Sequence, residues 1–79
     1  MKVFSGYYVN VNDPCYNRVV YVLGNNKEEC LELLSQINVE NFELLEKSIN
    51  YLCEFDELED FEKELFQNTK VHIFEAESC

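Results

Sequence analysis

Residues 3–23 have the sequence VFSGYYVNVNDPCYNRVVYVL. Two parts of it, 3–11 and 18–23, are rich in valine, tyrosine and phenylalanine, the residue types that favour β-strands. Between them lies the NDP triplet at 12–14, which is typical of a turn because proline presets φ and Asn or Asp side chains bond the nearby backbone. The pattern predicts an antiparallel β-hairpin with a loop of about five residues.

The segment after the hairpin predicts an amphipathic helix over about residues 26–37. Asn26 and Glu29 have the spacing of a capping box, in which each side chain bonds the other residue's backbone. The apolar residues then fall on one side of a helical wheel, and they are Cys30, Leu31, Leu33, Leu34 and Ile37. This helix should therefore pack through that side against the sheet.

A second capping-box pattern, from Asp56 to Glu59, predicts another helix that runs to about Gln67. Its inner face is expected to carry the apolar side chains of Leu58, Phe61, Leu65 and Phe66. The Asn-Thr pair at 68–69 ends this helix. Residues 70–76, KVHIFEA, then predict the last strand of the chain.

Residues 38–53 fit two structures. A helix would place Val39, Phe42, Leu45, Ile49 and Leu52 in one apolar stripe, whereas a strand would alternate apolar and polar side chains imperfectly, with Lys47 among the inward set. We favour the helix because Glu, Leu and Lys are helix formers. The predicted fold is then a single α+β domain over 1–79. It has a small antiparallel β-sheet, made of the N-terminal hairpin, the C-terminal strand and a fourth strand if 38–53 is extended. Two or three amphipathic helices pack on one face of this sheet.

The composition excludes several classes of protein. The chain carries 16 acidic and 6 basic side chains, a net charge of −10, so direct binding to nucleic acid or to an anionic membrane is not expected. At 47% hydrophobic residues it is too apolar for a disordered acidic tail. Residues 1–11 lack the apolar core of a signal peptide, and the longest apolar run, 19–23, is too short to span a bilayer. We therefore expect a cytoplasmic protein.

No residue of the chain is predicted to be catalytic, to bind a cofactor or to ligate a metal, so we expect a protein that is not an enzyme. The cysteines at 15, 30, 53 and 79 lack the spacing of zinc or redox motifs. In the cytoplasm they should be reduced, with Cys30 and Cys53 in the core and the other two exposed. His72, the single histidine, belongs to a predicted strand.

The negative charge is concentrated in one part of the chain. Residues 1–27 hold three basic side chains against one acid, and 28–79 hold 15 acids against three lysines. The densest part is 54–64, which we call the acidic segment and which contains one basic residue, Lys63. Its acids are Glu54, Asp56, Glu57, Glu59, Asp60, Glu62 and Glu64.

The acidic segment has two interpretations. It lacks the alternating ligands and central glycine of a calcium-binding EF-hand loop, so it is either a solvated helix face or a surface that binds a partner. On a helix, Asp60 would repel both Asp56 and Glu64 at a cost of a few tenths of a kcal/mol each. That a small domain accepts this cost points toward the second interpretation, and both stay open. The partner is then a surface of opposite charge, either a nucleic-acid-binding groove or another basic protein.

A different candidate surface is the hairpin, because tyrosine is enriched in interface hot spots. Tyr8 and Tyr16 are the residues that we expect to contact a partner there. The alternative function is then a small cytoplasmic adaptor or antitoxin-like regulator that binds a protein through this tyrosine-rich hairpin.

In size, acidity and lack of catalytic residues, the chain resembles the small acidic proteins of phages and mobile elements, such as DNA mimics and anti-CRISPR proteins. One alanine against nine asparagines also fits the AT-rich coding of many phages. These proteins share no fold or motif, so no residue role is carried over. The resemblance implies a non-enzymatic inhibitor that blocks a basic nucleic-acid-binding surface of a host or defence complex, and it leaves open whether the protein is a monomer or a dimer.

Overall fold

A computed structural model describes residues 1–77 and contains one four-stranded antiparallel sheet. The strands are β1 (Lys2–Asn10), β2 (Tyr16–Gly24), β3 (Phe42–Glu54) and β4 (Val71–Glu77), and their order in the sheet is β3-β1-β2-β4. The helices are α1 (Lys27–Ser35) and α2 (Asp60–Leu65), and a 3-10 turn spans Phe55–Glu57. The predicted α+β fold with a small antiparallel sheet is thus confirmed, and the helices number two in the described residues.

The predicted hairpin forms the centre of the sheet. Residues 11–15 connect its strands, and the side chain of Asn10 organises this loop. Its Oδ1 accepts hydrogen bonds from the backbone N–H groups of Asn12 at 2.8 Å and Asp13 at 3.0 Å. Asp13 Oδ1 in turn accepts from the N–H of Cys15 at 3.1 Å. The turn chemistry expected from the NDP triplet is therefore present.

Residues 42–54 form a strand, so the helix that we favoured for 38–53 is wrong. Asn41 turns the chain into β3 with a φ of 68°, a conformation that asparagine tolerates better than most residues. β3 then pairs along the edge of β1, from Phe42 opposite Asn10 to Glu54 opposite Lys2. The hydrogen bonds of this edge outweigh the helix propensity of the individual residues, which is small.

An irregularity in β3 explains why its sequence does not alternate cleanly. Opposite Gly6 the strand bulges, and Ser48 Oγ accepts a hydrogen bond from the N–H of Tyr7 at 2.8 Å and donates one to the carbonyl of Leu45 at 2.6 Å. The bulge shifts the register and lets Ile49 pack over Gly6.

The helix α1 confirms the N-cap and the apolar side that its sequence predicts, although it ends at Ser35 and not at about residue 37. Asn26 is the N-cap, and its Oδ1 accepts from the N–H of Glu29 at 2.8 Å. Cys30 and Leu34 are buried against the sheet, where Gly24 gives room for the Cys30 sulfur. The core under this helix consists of Phe4, Tyr8, Val20, Val22, Cys30, Leu34 and Ile49.

The two helices lie on opposite faces of the sheet, so the prediction that helices pack on one face is wrong. Alternation along β1 and β2 places Phe4 and Val22 on the face that α1 covers. Val3 and Tyr21 point to the other face, which we call the second face, together with Phe74 of β4. The segment between β3 and β4, which contains α2, crosses from one edge of the sheet to the other, and it does so over this face.

The cysteines differ from expectation at two described positions, because Cys53 is half-buried and lies outside the core cluster. Cys15 is half-buried and disulfide-bonded, so the prediction of an exposed, reduced thiol is wrong for this residue. Cys30 and Cys53 are free, and Cys79 lies outside the described residues. None of the helices in residues 1–77 has the length and apolar character needed to cross a membrane.

Candidate functional site

The acidic segment runs from the end of β3 through the 3-10 turn into α2. Its start is tied to the sheet, because the N–H of Phe55 donates to the carbonyl of Met1 at 2.9 Å. The N–H of Leu58 donates to the carbonyl of Phe55 at 3.1 Å and closes the turn. The segment is therefore held by backbone hydrogen bonds on one end of the fold.

The predicted helix from Asp56 to about Gln67 is wrong in its bounds, since α2 begins at Asp60 and ends at Leu65. The cap lies three residues later than predicted. The carboxylate of Glu62 accepts a hydrogen bond from the N–H of Glu59 at 2.9 Å, which is one half of a capping box. Glu62 therefore has a structural role at the start of this helix.

The negative charge of the acidic segment is not neutralised within residues 1–77. No ion pair joins any of its seven carboxylates to a described basic group. Lys63 lies with its ammonium 5.9 Å from the centre of the Phe55 ring, in a cation–π contact. Glu54 and Glu62 are half-buried, and the five acids that are exposed are Asp56, Glu57, Glu59, Asp60 and Glu64.

Two neighbouring groups respond to this charge. The hydroxyl of Tyr51 donates to Glu54 Oε2 at 2.7 Å, and this hydrogen bond raises the pKa of Tyr51 to about 12. Burial raises the pKa of the Cys53 thiol, and the carboxylates of Glu57, Glu62 and Glu54 raise it further. Carboxylates from the end of β3, from the 3-10 turn and from α2 thus lie in one region of the surface.

An apolar cleft of about 330 Å³ adjoins the acidic segment. One wall is the second face of the sheet, where Val3, Tyr21 and Phe74 line it. The Tyr21 and Phe74 rings meet edge to face, 5.7 Å apart, and form a firm aromatic floor. Leu52 and Cys53, at the end of β3, close one side.

The other wall of the cleft is α2, with Leu58 before it and Phe66 after it. Leu58, Phe61, Leu65 and Phe66, expected to be an inner apolar face, all line the cleft, but Phe61 is 70% exposed and Leu65 is 37% exposed. Glu62 lines it as well. The sequence pattern located these apolar side chains correctly, but it gave no sign that the cleft would stay open.

The two tyrosines predicted to bind a partner lie apart from each other and from the acidic segment. Tyr8 is 3% exposed and belongs to the core, and burial raises its pKa. Tyr16 is 51% exposed and begins β2, where it lines a separate surface pocket beside Arg18. Tyr7 and Tyr21 point to the second face. The two tyrosines predicted to bind a partner therefore do not form one surface.

His72 is packed among aromatic rings. Its imidazole stacks on Phe74 with the ring centres 5.1 Å apart, and Phe66 meets it edge to face at 6.2 Å. Within residues 1–77, no group of three or more histidine, cysteine or acidic side chains is placed to hold a metal ion.

Comparisons of the chain with models of known protein families, with curated proteins and with solved structures find no match. The function must therefore be argued from the geometry of the acidic segment and the cleft.

Proposed function

We propose that this protein is a non-enzymatic inhibitor that binds a basic, nucleic-acid-binding surface of another protein through its acidic segment. The observation that carries the proposal is the absence of any ion pair from seven carboxylates within the described residues 1–77. Uncompensated charge of one sign on a surface attracts a partner of the opposite sign and raises the rate of association.

The backbone of the acidic segment supports this proposal. Hydrogen bonds from Phe55 to Met1 and from Leu58 to Phe55 hold the 3-10 turn that carries Asp56 and Glu57. A backbone held in this way loses little conformational freedom when its carboxylates bind, which favours affinity. They can occupy positions that nucleic-acid phosphates take in a basic groove, and a net charge of −10 disfavours binding to the nucleic acid itself.

The proposal predicts that reversing three exposed charges of the segment abolishes inhibition. In the triple variant Glu57→Lys, Asp60→Lys, Glu64→Lys, each replacement places a positive charge against a basic partner, and we expect affinity to fall by more than about tenfold. Immobilised protein would first capture partners from nuclease-treated extract of the source cell. A labelled duplex would then be added to each purified partner, and its displacement by wild-type and variant protein would be measured by mobility shift.

The matched control reverses three exposed acids outside the segment, Glu32, Glu40 and Glu46, and changes the net charge by the same amount. This control should retain displacement, and circular dichroism should show that both variants are folded. Equal displacement by both variants, or a captured partner that binds duplex and protein together, would contradict the proposal.

The alternative of an adaptor or antitoxin-like regulator has weaker support. Of the two hairpin tyrosines that it requires, Tyr8 is buried and Tyr16 alone is accessible. Replacing Tyr16 with alanine separates the two functions, because it should weaken only a partner that binds through the hairpin.

A further inference from the structure

The cleft leaves a large apolar area in water. Phe61, Leu65, Phe74 and Leu52 are 70%, 37%, 39% and 51% exposed, and they surround the same opening. Exposed apolar surface costs about 25 cal/mol per Å², and contiguous patches of it mark binding sites in many proteins. At about 330 Å³ the cleft is as large as the smaller cavities that hold organic ligands, so it admits bulky apolar side chains.

The charge around the cleft restricts what can occupy it. Its α2 wall carries Asp60, Glu62 and Glu64, and the Cys53 thiol in its opposite wall is within electrostatic reach of Glu57 and Glu54. A second copy of this chain would bring like charges together, and an anionic lipid surface would be repelled as well. A segment with apolar side chains flanked by basic ones satisfies both the cleft and its rim.

We propose that the cleft binds a basic amphipathic helix of the partner protein, with the apolar side of that helix inserted between α2 and the second face and its lysine or arginine side chains on the acidic segment. This inference rests on the proposed function and adds the partner's recognition element. Buried apolar anchors surrounded by a polar rim are the usual arrangement of interface hot spots, and an amphipathic helix in an apolar groove is a common mode of recognition.

Two synthetic peptides provide the test. The first is a helix of about four turns with leucine at the i, i+3, i+4 and i+7 positions and lysine elsewhere. The second has the same lysines and carries glutamine in place of every leucine. Calorimetry should show that wild-type protein binds the leucine peptide at least about tenfold more tightly than the glutamine peptide.

The variant Phe61→Ser, Leu65→Ser should lose this preference and bind the two peptides with similar affinity. Both side chains are exposed, so the variant should remain folded, which its thermal melting curve checks. The matched control is Tyr16→Ser, another exposed aromatic residue outside the cleft, and it should keep the preference. Amide NMR shifts on adding the leucine peptide should be largest at Val3, Tyr21 and Cys53.

The outcomes separate this inference from the proposed function. The triple variant of Glu57, Asp60 and Glu64 could lose binding to both peptides while the Phe61 and Leu65 replacements have no effect. That result would overturn the helix in the cleft and leave the acidic surface standing. Unchanged peptide binding in the triple variant would count against the proposed function as well. Wild-type protein could also sediment as a dimer, and the Phe61 and Leu65 replacements could dissociate that dimer. This result would overturn the inference as well, since a second copy would then occupy the cleft.

Discussion

At the scale of single residues, Gly6 decides how β3 can pair with β1. A Cβ atom at this position would collide with Cδ1 of Ile49, which is 3% exposed and has little space to move away. The missing side chain lets the bulge of β3 seat Ile49 in the core. Nothing in the sequence marks this pairing, because Gly6 and Ile49 are far apart along the chain.

We expect Gly6→Ala to lower the free energy of unfolding by about 1–2 kcal/mol, because overpacking in the core outweighs the gain from a stiffer unfolded chain. Urea denaturation measures the change. Ile49→Val removes the colliding Cδ1 atom at a cost of about 0.5–1.5 kcal/mol by itself. In the Ile49→Val background the Gly6 replacement should cost much less, and a strictly additive double variant would contradict the proposed collision.

At the scale of elements, α1 shows how far local signals suffice. Asn26 caps it as its sequence predicts, and the five apolar residues predicted for it face the core, with Ile37 two residues beyond its last residue. The other half of the predicted capping box differs, because Glu29 Oε2 accepts instead from the side chain of Asn25 at 3.2 Å. A helix with its own cap and a clear apolar side can be predicted from its own residues, with little information from the rest of the chain.

Asn26→Ala should lower the free energy of unfolding by about 1 kcal/mol, since the N–H of Glu29 loses its acceptor. Asn25→Ala is the matched control, because it removes an exposed side-chain hydrogen bond one residue away and should change stability by less than about 0.5 kcal/mol. Urea midpoints at an unchanged slope give both values. Equal losses in the two variants would show that Asn26 does not act as the cap.

The element that local signals could not predict is β3. Its residues form an apolar stripe as a helix and an imperfect alternation as a strand, and the free edge of β1 decides between them. The prediction for the acidic segment failed in a similar way. The capping pattern at Asp56 and Glu59 is followed three residues later by one at Glu59 and Glu62, and the structure uses the later one. In β3 a contact with a distant strand decides the structure, and in the acidic segment a competing capping pattern nearby decides it.

At the scale of the whole molecule, the net charge of −10 acts against the compact state. Like charges in the acidic segment and on the remaining surface repel one another. Among residues 1–77, no ion pair of the acidic segment offsets this repulsion. Salt shortens the Debye length from about 30 Å at 0.01 M to about 3 Å at 1 M and thus screens the repulsion.

We therefore expect the free energy of unfolding to rise by roughly 1 kcal/mol as sodium chloride increases over this range, the sum of several surface repulsions of a few tenths each. The triple variant of Glu57, Asp60 and Glu64 provides the comparison, because each reversal adds two charge units and its net charge is −4 instead of −10. Its stability should depend less on salt in the same urea titrations. An equal or steeper dependence would show that the acidic segment is not a major source of repulsion.

The sequence by itself determined the hairpin, its turn, the helix α1 and the position of the negative charge, because each depends on residues close together in the chain. Only the tertiary structure decided that β3 is a strand, that Tyr8 is buried, and that α2 lies on the second face with an open apolar cleft beside the acids. These features depend on which distant segments meet. The edge of β1 and the uncovered face of the sheet exist only once the chain has folded.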